Sequence, residues 1–112
     1  MSGTIDWRKI PIEEVGPGVT RQTFHGVRST VIRYVYAPGS VFAVHSHTEE
    51  QTTIILTGRI AFSIDEAEHI LGPGDCLMAM SNVPHGAHVI GNETVESINV
   101  IAPRRTISPE SH

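Results

Sequence analysis

At 112 residues the chain suits a single domain with one modest core. Hydrophobic residues make up 39% and charged residues 18%, a globular balance that excludes a disordered chain. A net charge of -4 and no basic run longer than Arg104-Arg105 argue against nucleic-acid binding. No apolar stretch approaches the ~20 residues of a membrane span, the opening MSGTIDWRKIPIEEVG lacks the apolar core of a signal peptide, and the lone Cys76 has no internal disulfide partner, so a cytoplasmic setting is expected.

In chain order, residues 1–19 carry Pro11, Pro17 and three glycines and read as a mostly irregular lead-in. Its apolar groups, Ile5, Trp7, Ile10, Ile12 and Val15, are more than a lone small domain would bury, so a homodimer covering them is expected. Residues 20–105 then give a series of short β-type segments. Thr20–His25 ends at Gly26, and the β-branched and aromatic Ser29–Ala37 stops at Pro38-Gly39. Val41–Val44 leads into a histidine pair, and Gln51–Thr57 stops at Gly58. Arg59–Ile64 and Glu68–Leu71 flank a tight turn at Asp65-Glu66. Gly72-Pro73-Gly74-Asp75 is a strong turn signal. Cys76–Met80, Ala87–Ile90 and Val95–Ile101 complete the set, and residues 106–112 read as a frayed tail. No window has helical periodicity, so the fold expected is all-β, a sandwich or barrel.

The sharpest feature is His45-Ser46-His47 followed by Gln51. On a strand, His45 and His47 share a face. Gly39 and Gly58 bracket two strands joined by a short polar turn, and a hairpin there returns Gln51 beside the histidines. A second constellation runs from Gly74-Asp75 to Pro84-His85, where the proline fixes the backbone beside a third imidazole. His45, His47, Gln51 and His85 together would make a three-histidine, one-amide site for one divalent ion (Zn, Mn, Ni or Fe). A one-residue shift of the turn would instead present Glu50, and Glu49 reads as a solvated turn residue.

These two constellations resemble the paired motifs of the cupins. Gly39-(x)5-His45-x-His47-(x)3-Gln51-(x)6-Gly58 is similar to the first, with glutamine where glutamate is commoner. Gly74-Asp75-(x)8-Pro84-His85 is similar to the second, with Met80 and Asn82 where proline and glycine are usual. The resemblance implies a double-stranded β-helix, or jelly-roll barrel, over about residues 20–102. Finer features, His45–Gln51 and Val83–Gly86, look like the small single-domain cupins that ketonize unsaturated uronates in pectin breakdown.

That resemblance implies a small carboxylate or sugar-acid substrate and metal-assisted proton transfer of the isomerase type. A glutamine ligand in place of glutamate leaves the ion a stronger Lewis acid. Arg105 matches a family arginine and is a candidate clamp for a substrate carboxylate; Arg21 and Arg33 are further candidates. His88, Tyr34 or a hydroxide on the ion would move the proton, although His88 falls three residues after His85 and so points to the opposite face of a strand. Asn99 stands where the group has an acidic residue, and an amide cannot serve as acid or base near neutral pH. The alternatives are a non-enzymatic small-molecule-binding cupin, which Asn99 favours, and a metal-dependent dioxygenase using the same ligands.

Overall fold

The computed structural model describes residues 2–105; the expected tail, 106–112, lies outside the described residues. A 3-10 turn at Trp7–Lys9 precedes ten strands: β1 Glu13–Gly16, β2 Val19–His25, β3 Thr30–Tyr36, β4 Val41–His45, β5 Glu50–Thr57, β6 Arg59–Ile64, β7 Ala67–Leu71, β8 Cys76–Ala79, β9 His85–Ile90 and β10 Val95–Ala102. They form two antiparallel sheets, β1-β2-β3-β10-β5-β8 and β4-β9-β6-β7. Chain neighbours such as β3 and β4, or β9 and β10, fall in different sheets, so the chain repeatedly crosses between layers. That is the jelly-roll arrangement. Among the described residues no helix is long and apolar enough to cross a membrane.

Strand alternation sets the core. On β3 the burial pattern alternates strictly, with Thr30, Ile32, Tyr34 and Tyr36 inside. Opposite them in register lie His25, Thr23, Arg21 and Val19 on β2, and Ile101, Asn99, Ser97 and Val95 on β10. The facing sheet contributes Phe42, Ile60, Phe62, Ala87 and Val89. One end of the barrel is therefore apolar, packed by Val19, Tyr36, Val95, Ile60 and Val89. Side chains such as Phe62, 2% exposed, stabilise the fold by about 1.5–3 kcal/mol each through burial. The other end carries the polar interior residues.

The lead-in joins the sheet. Residues 13–16 pair with β2, and the Gln22 amide donates to the carbonyls of Trp7 (2.6 Å) and Ile10 (2.9 Å). Asp6 caps the 3-10 turn by accepting from the Arg8 amide. Strand ends also move relative to the sequence reading. β8 stops at Ala79, and β9 begins at His85 itself, because Pro84 closes the preceding turn and leaves the next residue free to pair. Asp65 and Glu66 both adopt positive φ, 47° and 73°, the conformation that a two-residue hairpin turn requires.

Candidate metal centre

Three strands and a turn deliver four donors to one point. His45 ends β4 and lies directly opposite His85 at the start of β9. His47 follows in the turn, where its carbonyl accepts from the Asn82 amide at 2.8 Å. The imidazole nitrogens of His45, His47 and His85 lie within 4.8 Å of one another. Ring centroids are 4.5 Å apart for His45–His85, 4.8 Å for His47–His85 and 5.5 Å for His45–His47.

The backbone fixes the tautomers. Nδ1 of His45 donates to Ala43 O (3.0 Å), Nδ1 of His47 to Glu49 O (2.8 Å), and Nδ1 of His85 to Val83 O (2.9 Å). A carbonyl can only accept, so each Nδ1 carries a proton, which in a neutral imidazole makes Nε2 the ligating nitrogen. This is how metal-ligating histidines are commonly held.

Gln51 is buried on β5, and its amide nitrogen donates to Thr53 Oγ1 at 2.9 Å. That bond turns Oε1 toward His47 Nε2, 3.3 Å away. With Nδ1 protonated, both atoms are acceptors. Two lone pairs at this distance repel unless a cation, or a second proton on His47, lies between them. The donor set therefore fits a divalent ion of the kind that imidazole and amide oxygen bind. Glu50 is exposed on β5, so the alternative turn register is not adopted.

A second wall faces these ligands. Tyr34, 1% exposed, packs its ring 5.6 Å from Phe42, which in turn lies 5.1 Å from His45. Arg21 and Arg105, both buried, flank Tyr34. Arg21 Nε donates to Glu13 Oε1 at 2.6 Å. Burial opposes its charge, but Glu13 and Tyr34 outweigh that and raise its pKa. Arg105, 5% exposed, is held by its backbone amide, which donates to Thr30 Oγ1 at 2.9 Å. Its terminal nitrogens are buried and complete no hydrogen bond among the described residues. A Glu49 carboxylate oxygen lies 3.7 Å from Nη2. Burial holds the Arg105 pKa below the ordinary guanidinium value, despite Tyr34 and Glu49. Tyr34 is pushed upward by burial, against the pull of both arginines, so its hydroxyl keeps its proton near neutral pH.

Glu49 is the residue that sequence reasoning missed. It is not a solvated turn residue: the same Oε1 that faces Arg105 lies 3.4 Å from His47 Nδ1. One carboxylate oxygen thus spans the ligand wall and the cation wall. Its only sequence signal is its place between His47 and Gln51.

The structure brings His45, His47, Gln51, His85, Tyr34, Arg21, Arg105 and Asn99 to the barrel interior. Asn99 is 2% exposed and in register with Thr53, with its Oδ1 buried and making no hydrogen bond among the described residues. Two expectations are corrected. Arg33 points out of the barrel, where it bonds Glu96 (2.9 Å) and Gln22 (2.7 Å), because strand alternation puts it opposite to Tyr34. His88 is exposed on the outer face of β9, in register with Val41 and Ala61, and cannot serve the interior.

The jelly roll and its three-histidine cluster define a small barrel built around a candidate metal centre. The profile of the cupin domain family matches residues 32–101, and the chain belongs to the cupin family. No curated protein sequence matches it. Among solved structures, it is similar to an RmlC-like cupin from Shewanella frigidimarina, at 22% identity and TM-score 0.84, covering 94% of each chain. It is similar to KdgF from Halomonas sp. at 21% identity and TM-score 0.84, covering 94% of this chain and 96% of that one. The polyketide cyclase RemF from Streptomyces resistomycificus matches at 16% identity and TM-score 0.80, covering 98% of this chain and 89% of that one. At these identities the likeness concerns the fold.

Proposed function

We propose that this cupin holds one divalent ion through His45, His47, Gln51 and His85, and binds a small carboxylate, of the sugar-acid type, beside it. The observation that carries the reading is the Arg105 fork: a buried guanidinium beside Tyr34, with Glu49 no nearer than 3.7 Å and no close hydrogen bond at Nη1 or Nη2 among the described residues. A buried guanidinium so loosely paired has donors to spare, and a bidentate carboxylate satisfies them. Similarity to KdgF and to a polyketide cyclase is compatible with this reading without choosing a reaction.

The ion, when bound, supplies Lewis-acid polarisation of a substrate oxygen. The chain's own residues do the rest. Arg105 orients the carboxylate, with Arg21 adding positive field from across Tyr34. Phe42 and Tyr34 exclude water from one side. Tyr34, protonated at neutral pH and packed against Phe42, is an interior hydroxyl able to give a proton during a ketonization or isomerisation. Asn99 cannot titrate, and this favours the second reading, a cupin that binds its carboxylate without turning it over. Dioxygenase chemistry is the third.

The test combines three measurements. Elemental analysis of protein reloaded with Zn, Mn, Ni or Fe(II) should give one ion per chain; no stoichiometric ion sinks the proposal. Loaded protein is then screened against 4,5-unsaturated uronates for metal-dependent loss of ultraviolet absorbance. Binding without absorbance loss selects the non-enzymatic reading, and oxygen consumption selects the dioxygenase. We also propose a homodimer: Ile5 and Ile12 are 42% and 70% exposed, and sedimentation at micromolar concentration should show twice the chain mass.

A further inference from the structure

The histidine pair does not reach the interior by simple alternation. Phe42 pairs with Ala87, and His45 pairs with His85. Three residues on β4 thus advance against two on β9, so an extra residue is inserted at Ala43-Val44. This is a β-bulge. Without it, Phe42 and His45, three apart, would face opposite sides of the sheet. With it, both face inward: Phe42 packs on Tyr34 and His45, while Val44 is exposed on the outside.

Gly86 sits across from the bulge. A Cβ placed there would lie 2.9 Å from Phe42 O, 3.0 Å from Val44 N and 3.0 Å from Val44 Cγ2. Two of these three atoms belong to the backbone of β4 and cannot move aside as a flexible side chain does. The position lies in an ordinary strand, and Gly86 is not among the glycines with positive φ. Its requirement is therefore close approach, not unusual dihedrals. Gly86 also falls between His85, a ligand, and Ala87, the partner of Phe42.

We infer that Gly86 is a positioning residue for the metal centre: its missing side chain lets β4 bulge against β9, and the bulge turns His45 toward His85. The inference rests on the metal-binding reading above. Adding one methyl at residue 86 pushes β4 away at Phe42–Val44. The bulge relaxes toward regular pairing, and His45 leaves the cluster, while His47 and Gln51, held from the Asn82 and Thr53 side, remain.

The test uses the full chain with Gly86→Ala, His45→Ala, His47→Ala and the double variants Gly86→Ala/His45→Ala and Gly86→Ala/His47→Ala. Far-UV circular dichroism checks folding, and competition titration with Co(II) gives affinity. Gly86→Ala should fold and bind Co(II) as weakly as His45→Ala does, at least about 10-fold below the parent, the lower bound for residues that orient ligands without touching the ion. Its Co(II) absorption spectrum should match that of His45→Ala. Adding Gly86→Ala to His45→Ala should cost nothing further, whereas adding it to His47→Ala should cost the full factor. Equal penalties in both backgrounds overturn the inference, as does parent-like affinity in Gly86→Ala. A Gly86→Ala chain that fails to fold also overturns it, since Gly86 would then serve the barrel and not the ligand set. If the parent itself takes up no Co(II), the failure belongs to the metal-binding reading.

Discussion

The two walls of the barrel mouth are built in opposite ways. The ligand wall is assembled locally. Each histidine donates its Nδ1 proton to a carbonyl two residues away, at Ala43, Glu49 or Val83, so its orientation is written into its own turn. The cation wall is assembled at long range. Arg105 is tied to Thr30 across 75 residues, Arg21 reaches Glu13 on the neighbouring strand, and Tyr34 stands between them. The ligand wall presents imidazoles and an amide, and the other presents two arginines, Arg21 already paired with Glu13. The proposed ion and carboxylate would sit between them, with Glu49 touching both walls.

The largest expected effect tests their independence. His85→Ala should lower metal affinity by more than about 100-fold, since even residues that only orient ligands are worth 10- to 100-fold. Arg105→Met should leave that affinity unchanged; a loss comparable to that of His85→Ala, measured by the same competition titration, would dissolve the distinction between the walls. Next in size, Arg105→Met should weaken binding of galacturonate to the loaded protein by roughly 10- to 100-fold, the worth of charge-assisted hydrogen bonds to a buried fork. Arg105→Lys should recover only part of this, because an ammonium lacks the planar pair of donors. Calorimetric titration of the three proteins decides it, and parent-like binding by Arg105→Met removes the clamp.

The same contrast explains what could be read from the sequence. The jelly roll was legible because β-type segments and Gly-Pro turns recur at short intervals. His45, His47, Gln51 and His85 were legible because local turns hold them at fixed spacings. The bulge was not: strand alternation accounts for His45 and His47 sharing a face but says nothing about Phe42 joining them inside. Arg33 and Arg21 looked alike as lone arginines on strands, and only the register of β2 against β3 separates the inner from the outer. Glu49 looks solvated in the sequence because its partner Arg105 lies 56 positions later in the chain.

Thr30 tests how far the cation wall depends on its anchor. It is fully buried, accepts from the Arg105 amide and contacts His25 Nδ1 at 3.0 Å. Thr30→Val keeps the shape but leaves the Arg105 amide without that acceptor. Stability to denaturant should fall by about 1–3 kcal/mol, with weaker galacturonate binding and unchanged metal affinity. A stability loss with no change in carboxylate binding would make Thr30 a barrel residue only.

The smallest effect concerns His25 at the far end of that chain of contacts. Burial lowers its pKa below the ordinary 6.5, and the charges of Arg104 and Arg105 lower it further. The folded state therefore binds a proton there less readily than the unfolded chain does. Its contribution to stability is complete above about pH 6.5 and is lost as pH falls through the lower folded value. His25→Gln has no such proton to take up. The difference in denaturation midpoint between parent and variant should thus shift against the parent between pH 8 and pH 5.5. An unchanged difference across that range would mean that neither burial nor the charges of Arg104 and Arg105 shift His25 in solution.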